Sequence, residues 1–294
     1  MNQPPNDPDD LERVLKRMEG EFGPRRLPSD DTEQRGVRPG SGPIYGEAQR
    51  IPTPRLPAQR PQGARPQAVW VILGSIAVIY VVSCLLSGSL FEPNLGVLIL
   101  LGAKENSLIA AGAYWRLITA TLLHASLIHI FFNGYALFAL GPESERIYGT
   151  GRFLALYGLA GLGGSVASYL FSSAPSVGAS GAIFGLIGGL GVFFYLNRTA
   201  LGEFGRAQTQ SMASIALINL IIGFASGGRI DNWGHFGGLV AGVIAGAALA
   251  PQLSIAPDLY PPVITRRYHA WGWMAAAALA CVLAALVILL PGAR

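Results

Sequence analysis

The stretch GASGAIFGLIGGLGVFFYL, Gly178 to Leu196, carries no charged side chain and repeats glycine at Gly181, Gly185 and Gly189. An apolar run of this length matches the roughly 20 residues that an α-helix needs to cross about 30 Å of hydrocarbon. Glycines four apart share one helix face, and in lipid such a face lets a second backbone approach closely. A matching stretch lies downstream: WGHFGGLVAGVIAGAAL, Trp233 to Leu249, with Gly234, Gly238 and Gly242 at the same spacing. The two faces predict direct packing of two membrane helices. Each face begins beside a reactive side chain, Ser180 in one and His235 in the other.

Composition points the same way. The 294 residues are 51% hydrophobic and only 13% charged, with a mean hydropathy of +0.42, where a soluble domain carries about 25% charged residues. Five further apolar runs read as spans: Ala68 to Ser87, Leu123 to Leu140, Phe153 to Phe171, the short Met212 to Ala225, and Ala270 to Leu290. The expected fold class is an all-α membrane protein, a polytopic bundle of seven transmembrane helices. Leu95 to Ala103 is too short to cross and is expected to lie in, or dip into, the interface. Cys84 and Cys281 sit inside apolar runs and read as small buried hydrophobes.

Residues 1–67 hold twelve of the 20 prolines with eleven basic and ten acidic residues, too little apolar surface to offset the entropy of ordering. They are expected to form a disordered cytoplasmic tail. Within it Leu11, Val14, Leu15 and Met18 have the spacing of a short amphipathic helix over Asp9 to Phe22, either a docking element for a cytoplasmic partner or a solvated nascent helix. Residues 68–250 make the core, and 251–294 a loop with one additional helix. The chain opens on this polar segment and not on a cleavable signal.

The net charge of +4 is scattered over tail and loops, which argues against nucleic acid as a partner. Topology accounts for it: with the tail in the cytoplasm, seventeen of the 21 Lys and Arg residues fall inside, and Lys104, Arg116, Arg229 and Arg294 fall outside. The C-terminus is then outside, and a bacterial inner membrane is the expected location.

In this topology the helices that begin at Gly178 and Trp233 run in the same direction, so Ser180 and His235 lie in first turns at similar depth. A serine in a membrane helix commonly just bonds a carbonyl one turn back. A histidine there is costly enough to suggest function. Together they have the types needed for a base-activated nucleophile. His129 and Asn133, four apart, share a face of the second span and read either as oxyanion donors or as polar glue between helices. Asp231 precedes His235 by one turn and could orient it, but its position at the helix start beside Arg229 reads better as an N-cap; a dyad is favoured. No metal is expected, because His124 and His129 are five apart with no carboxylate between them. No cofactor is expected either.

These residues resemble the rhomboid family of intramembrane serine proteases over about Gly112 to Gly242. Trp115-Arg116 is similar to the family's loop-one pair, and His124 to Asn133 to its second-helix set. Gly141-Pro142 through Glu145 to Gly149-Thr150-Gly151 is similar to its turn into the third helix. Ser180 within Gly-Ala-Ser-Gly, and His235 followed by Gly238 and Gly242, complete the likeness.

The resemblance implies a six-helix catalytic core with a seventh helix added, and a serine-histidine dyad without aspartate. It implies an oxyanion held by His129, Asn133 and the Ser180 backbone N–H. Phe184 would stack on His235, Gly178 and Gly181 would shape the loop beside the nucleophile, and Trp115, Arg116, His124 and Glu145 would be structural. Membrane lipids and transmembrane protein substrates, cut near small, helix-breaking residues, are the implied partners. The alternative from another class is an inactive rhomboid-like protein that binds membrane clients.

Overall fold

The computed structural model describes residues 66–256 and 263–293. The expected tail, with its short helix over residues 9–22, lies outside the described residues except for its last two positions.

The chain enters through α1 (Ala68–Ser87), which ends on Gly88 in the left-handed conformation (φ 62°). A loop with three short helices follows, α2 (Leu95–Leu101), α3 (Asn106–Ala110) and α4 (Arg116–Thr119). As expected of Leu95 to Ala103, α2 is too short to cross. The long helices α5 (Leu127–Tyr148), α6 (Thr150–Phe171), α7 (Ser180–Leu196), α8 (Arg198–Ala225) and α9 (Asn232–Leu249) come next. A hairpin, β1 (Gln252–Ala256) antiparallel to β2 (Val263–Arg267), leads to α10 (Trp271–Leu289).

All seven expected spans therefore coincide with long helices among the described residues. By length and composition alone, however, only α1, α6, α8 and α10 suffice to cross a membrane, or five spans when α4 and α5, bent by 91°, count as one. The others fall short for a physical reason. The 17-residue α7 is the central helix, buried without interruption from Ala182 to Leu190, and a helix enclosed by other helices need not meet the lipid. Large apolar side chains such as Val71, Leu85, Ile222, Phe224, Met274 and Leu289 are exposed on the outer faces of α1, α8 and α10. That surface suits a multi-pass integral membrane protein.

Three boundaries differ from expectation. The second span starts at Leu127, not Leu123, because Ser126 caps it by accepting from the His129 N–H at 3.2 Å, and it runs on to Tyr148. The fifth is not a short segment from Met212: α8 begins at Arg198 and is interrupted only at Gly202 (φ 58°, ψ −137°). The turns before Met212 carry Arg198, Glu203, Arg206, Gln208 and Gln210, with a Glu203–Arg206 pair at 2.6 Å, so hydropathy does not register them. The hairpin was not anticipated. It is tied to the bundle by Asn197, which donates to Pro251 O at 3.0 Å and accepts from Leu253 N at 2.7 Å.

Glycine brings the centre together. A Cβ on Gly238 would overlap the Gly181 carbonyl, one on Gly242 would overlap Gly185, and one on Gly246 would lie 2.6 Å from Gly189 Cα. The two ladders do pack face to face. A third small-residue face, on α6, joins them: Gly163 meets Ala241, Gly237 meets Ala167, and Gly185 meets Ala160. At the opposite end from Ser180, the Glu145 carboxylate on α5 accepts from the backbone N–H groups of Gln67, Ala68 and Val69 at 3.1 Å each, and from the Thr150 hydroxyl at 2.8 Å. It supplies the cap that α1 lacks, a negative charge at a helix N-terminus.

Candidate active site

Ser180 is the first residue of α7 and His235 stands in the first turn of α9. The backbones beneath them touch: a Cβ on Gly181 would lie 3.2 Å from Gly234 O, and one on Gly164 of α6 would lie 2.7 Å from that same oxygen. Among the described residues no hydrogen bond joins the Ser180 hydroxyl to the imidazole, and His235 Nδ1 is buried without a partner. Bonds of this kind often tighten only with substrate in place. Phe184, one turn into α7, stacks on His235 with ring centroids 4.3 Å apart and planes within 15°, which fixes the plane of the imidazole.

Asp231 is the N-cap of α9: its Oδ1 accepts from Gly234 N at 2.9 Å. It makes no hydrogen bond to the His235 ring, whose Nδ1 stays unpaired. His129 and Asn133 face the loop just before the nucleophile. Gly178 there has φ 130°, and a Cβ on it would sit 2.7 Å from His129 Nε2 and 3.7 Å from Asn133 Nδ2. Only glycine lets those two side chains come so near the backbone that leads into Ser180. Asn133 Nδ2 donates to His129 O at 3.1 Å, and the His124 ring lies 5.1 Å from that of His129.

The remaining residues singled out in the sequence lie farther from the chemistry. Arg116 is buried and donates to Ile99 O at 2.6 Å and Ala103 O at 3.1 Å, with its guanidinium 4.7 Å from the Trp115 ring. It binds together the loop before α4. Glu145 is at the far end of the bundle. His124 is fully buried with neither ring nitrogen paired. Among the described residues no cluster of His, Cys, Asp and Glu has the makings of a metal site.

Sequence reasoning missed the pocket beside Ser180. A small pocket is lined by Ser180, Thr121, Ser165, Ser168, Ser176, Lys104 and Asp231 together with glycines of α6, α7 and α9. Hydroxyls of Thr121, Ser165, Ser168, Ser176 and Ser180 share its walls with glycine backbone, and the Ser168 Oγ is buried without a partner. Lys104 had been counted as an outer-loop charge, but it is only 1% exposed. Burial pushes its ammonium down to about 8, against the opposing pull of Asp231 and Glu105. A signal for part of this was present in Gly158 to Gly164, whose density of glycine marks a third close-packed face.

Such an arrangement suits acyl transfer: a hydroxyl and an imidazole on touching backbones, polar donors beside the same loop, and a pocket at the reacting end. The family profile described as Rhomboid domain matches residues 111–252. The chain is 49% identical over 156 residues to Rhomboid protease GluP of Bacillus subtilis (strain 168), covering 53% of this chain and 30% of that one. It is 38% identical over 179 residues to RHOMBOID-like protein 5 of Arabidopsis thaliana, covering 59% and 57%. It is 32% identical over 210 residues to Rhomboid-like protease 1 of Toxoplasma gondii, covering 70% and 68%. The chain thus spans less than two thirds of the length of the first two. Relatives from a bacterium, a plant and Toxoplasma do not single out the expected bacterial membrane.

Proposed function

Because the chain belongs to the rhomboid family, we propose that it is an intramembrane serine endopeptidase that cleaves transmembrane proteins with Ser180 and His235 as a dyad. The observation that carries this reading is the contact of Gly181 with Gly234 and Gly238, which sets the first turns of α7 and α9 against each other.

In this mechanism Ser180 Oγ attacks the scissile carbonyl carbon while His235 takes the hydroxyl proton. The oxyanion is held by His129, Asn133 and the N–H of Ser180, which as the first residue of a helix has no intrahelical partner. As the tetrahedral carbon collapses, the C–N bond breaks and His235 returns its proton to the leaving amine. Water, deprotonated by His235, then attacks the acyl-enzyme and frees Ser180. A peptide bond in a helix has its carbonyl already bonded, so the substrate segment must unwind to present it. The hydroxyl-lined pocket provides the water and takes the small side chain next to the cut.

The orientation we infer puts this end of the bundle outside. Arg152 at the opposite end lies 4.0 Å from the Tyr268 ring and 5.6 Å from that of Trp273, a basic and aromatic cluster of the sort found at a cytoplasmic interface. The test is cleavage of a reporter membrane substrate by purified wild type, Ser180→Ala and His235→Ala. Both variants are expected to be inactive while folding normally. Full activity in either one refutes the dyad.

A further inference from the structure

The segment 172–179 that delivers Ser180 belongs to no long element, and it rests on Lys104. The Lys104 Nζ donates to Ser172 O at 2.6 Å and to Ala174 O at 2.9 Å. Its backbone pairs with Ser176 in both directions, Lys104 N to Ser176 O at 2.9 Å and Ser176 N to Lys104 O at 3.0 Å. Two residues on, Gly178 N donates to Ala120 O at 2.9 Å, and α7 begins at Ser180. Lys104 is itself held, since Arg116 fastens the carbonyls of Ile99 and Ala103 just before it. Asn106 adds a second grip on Ser172 O at 3.1 Å and connects it to Ala293 O, beyond α10, at 2.6 Å.

Stability alone accounts poorly for this residue. A buried ammonium is costly to desolvate, and an apolar side chain of like size would avoid that cost. Among the described residues Lys104 meets no carboxylate within ion-pair distance; its ammonium donates to two carbonyls of the segment that leads to the nucleophile, and it lines the same pocket as Ser180.

We propose that Lys104 is a positioning residue for Ser180: by gripping the carbonyls of Ser172 and Ala174 it sets the depth and rotation at which Gly178 to Ser180 enter the site. This rests on the reading of Ser180 as nucleophile.

Lys104→Met in the full chain keeps the bulk of the stem and removes the grip. Amide hydrogen exchange over residues 172–178 tests the grip itself and is expected to speed up in the variant while exchange within α6 and α9 stays as in wild type. Reporter cleavage tests its use: kcat should fall by about 10²-fold, the effect of a displacement near 1 Å, with KM and melting temperature little changed. Lys104→Ala should lose activity likewise and regain it on addition of propylammonium, the part of the side chain removed. Unchanged exchange, wild-type kcat in Lys104→Met, or a loss in Lys104→Ala that propylammonium leaves untouched would each overturn the proposal. If exchange speeds up as expected but wild type itself fails to cleave, the nucleophile reading fails and the grip stands.

Discussion

Replacing Gly238 by alanine tests the contact on which the site is built. The new methyl carbon would lie 2.6 Å from the Gly181 carbonyl carbon and 2.8 Å from Gly181 Cα, where ordinary contact begins near 3.4 Å. The obstacle is backbone on both sides, so no side chain can rotate away. The Gly181 carbonyl oxygen would be nearer still, so α7 and α9 must separate by more than about 1 Å at the level of Ser180 and His235 to relieve it. Overpacking of this kind costs about 1–3 kcal/mol in stability. A displacement near 1 Å between reacting groups costs about 10²-fold in rate. The assay is kcat on a reporter substrate for the folded fraction, with thermal unfolding in the same detergent. Gly158→Ala is the control, because a Cβ there meets nothing within 4 Å. Wild-type kcat and melting temperature in Gly238→Ala would refute the close-contact account, as would an equal loss in Gly158→Ala.

Two further outcomes separate the roles of neighbouring residues. Asn133→Ala is expected to lower kcat by about 10²-fold with KM nearly constant, the signature of an oxyanion donor; a rise in KM alone would assign it to substrate binding instead. Asp231→Ala removes an N-cap and should cost about 1 kcal/mol in stability while most of kcat survives. A kcat loss approaching 10⁴-fold, measured by the same cleavage assay, would make it a true triad member.

The parts legible in the sequence are those whose cause is local. Ala68 to Ser87 is an unbroken apolar run stopped by Gly88, and the structure keeps both ends. The two glycine ladders announce themselves because spacing along one helix already defines a face. Lys104 could not be read this way: alone in a short loop it looks like a solvated charge, and the carbonyls that bury it come 68 and 70 residues later. The polar first turns of α8 escaped because hydropathy sees lipid contact, not helix. For Asp231 the sequence held both answers, cap or triad member, and the 2.9 Å bond to Gly234 N shows the cap.

The carboxylate of Glu145 bears on biogenesis. The three amides it receives come 76 to 78 residues earlier in the chain, so the first span must be threaded into the bilayer with those amides satisfied by water or headgroups. It is anchored only once α5 has been inserted and its foot swings beneath the first span. The first span is thus secured by an electrostatic rivet that arrives late, and a newly made chain interrupted before that residue would lack it.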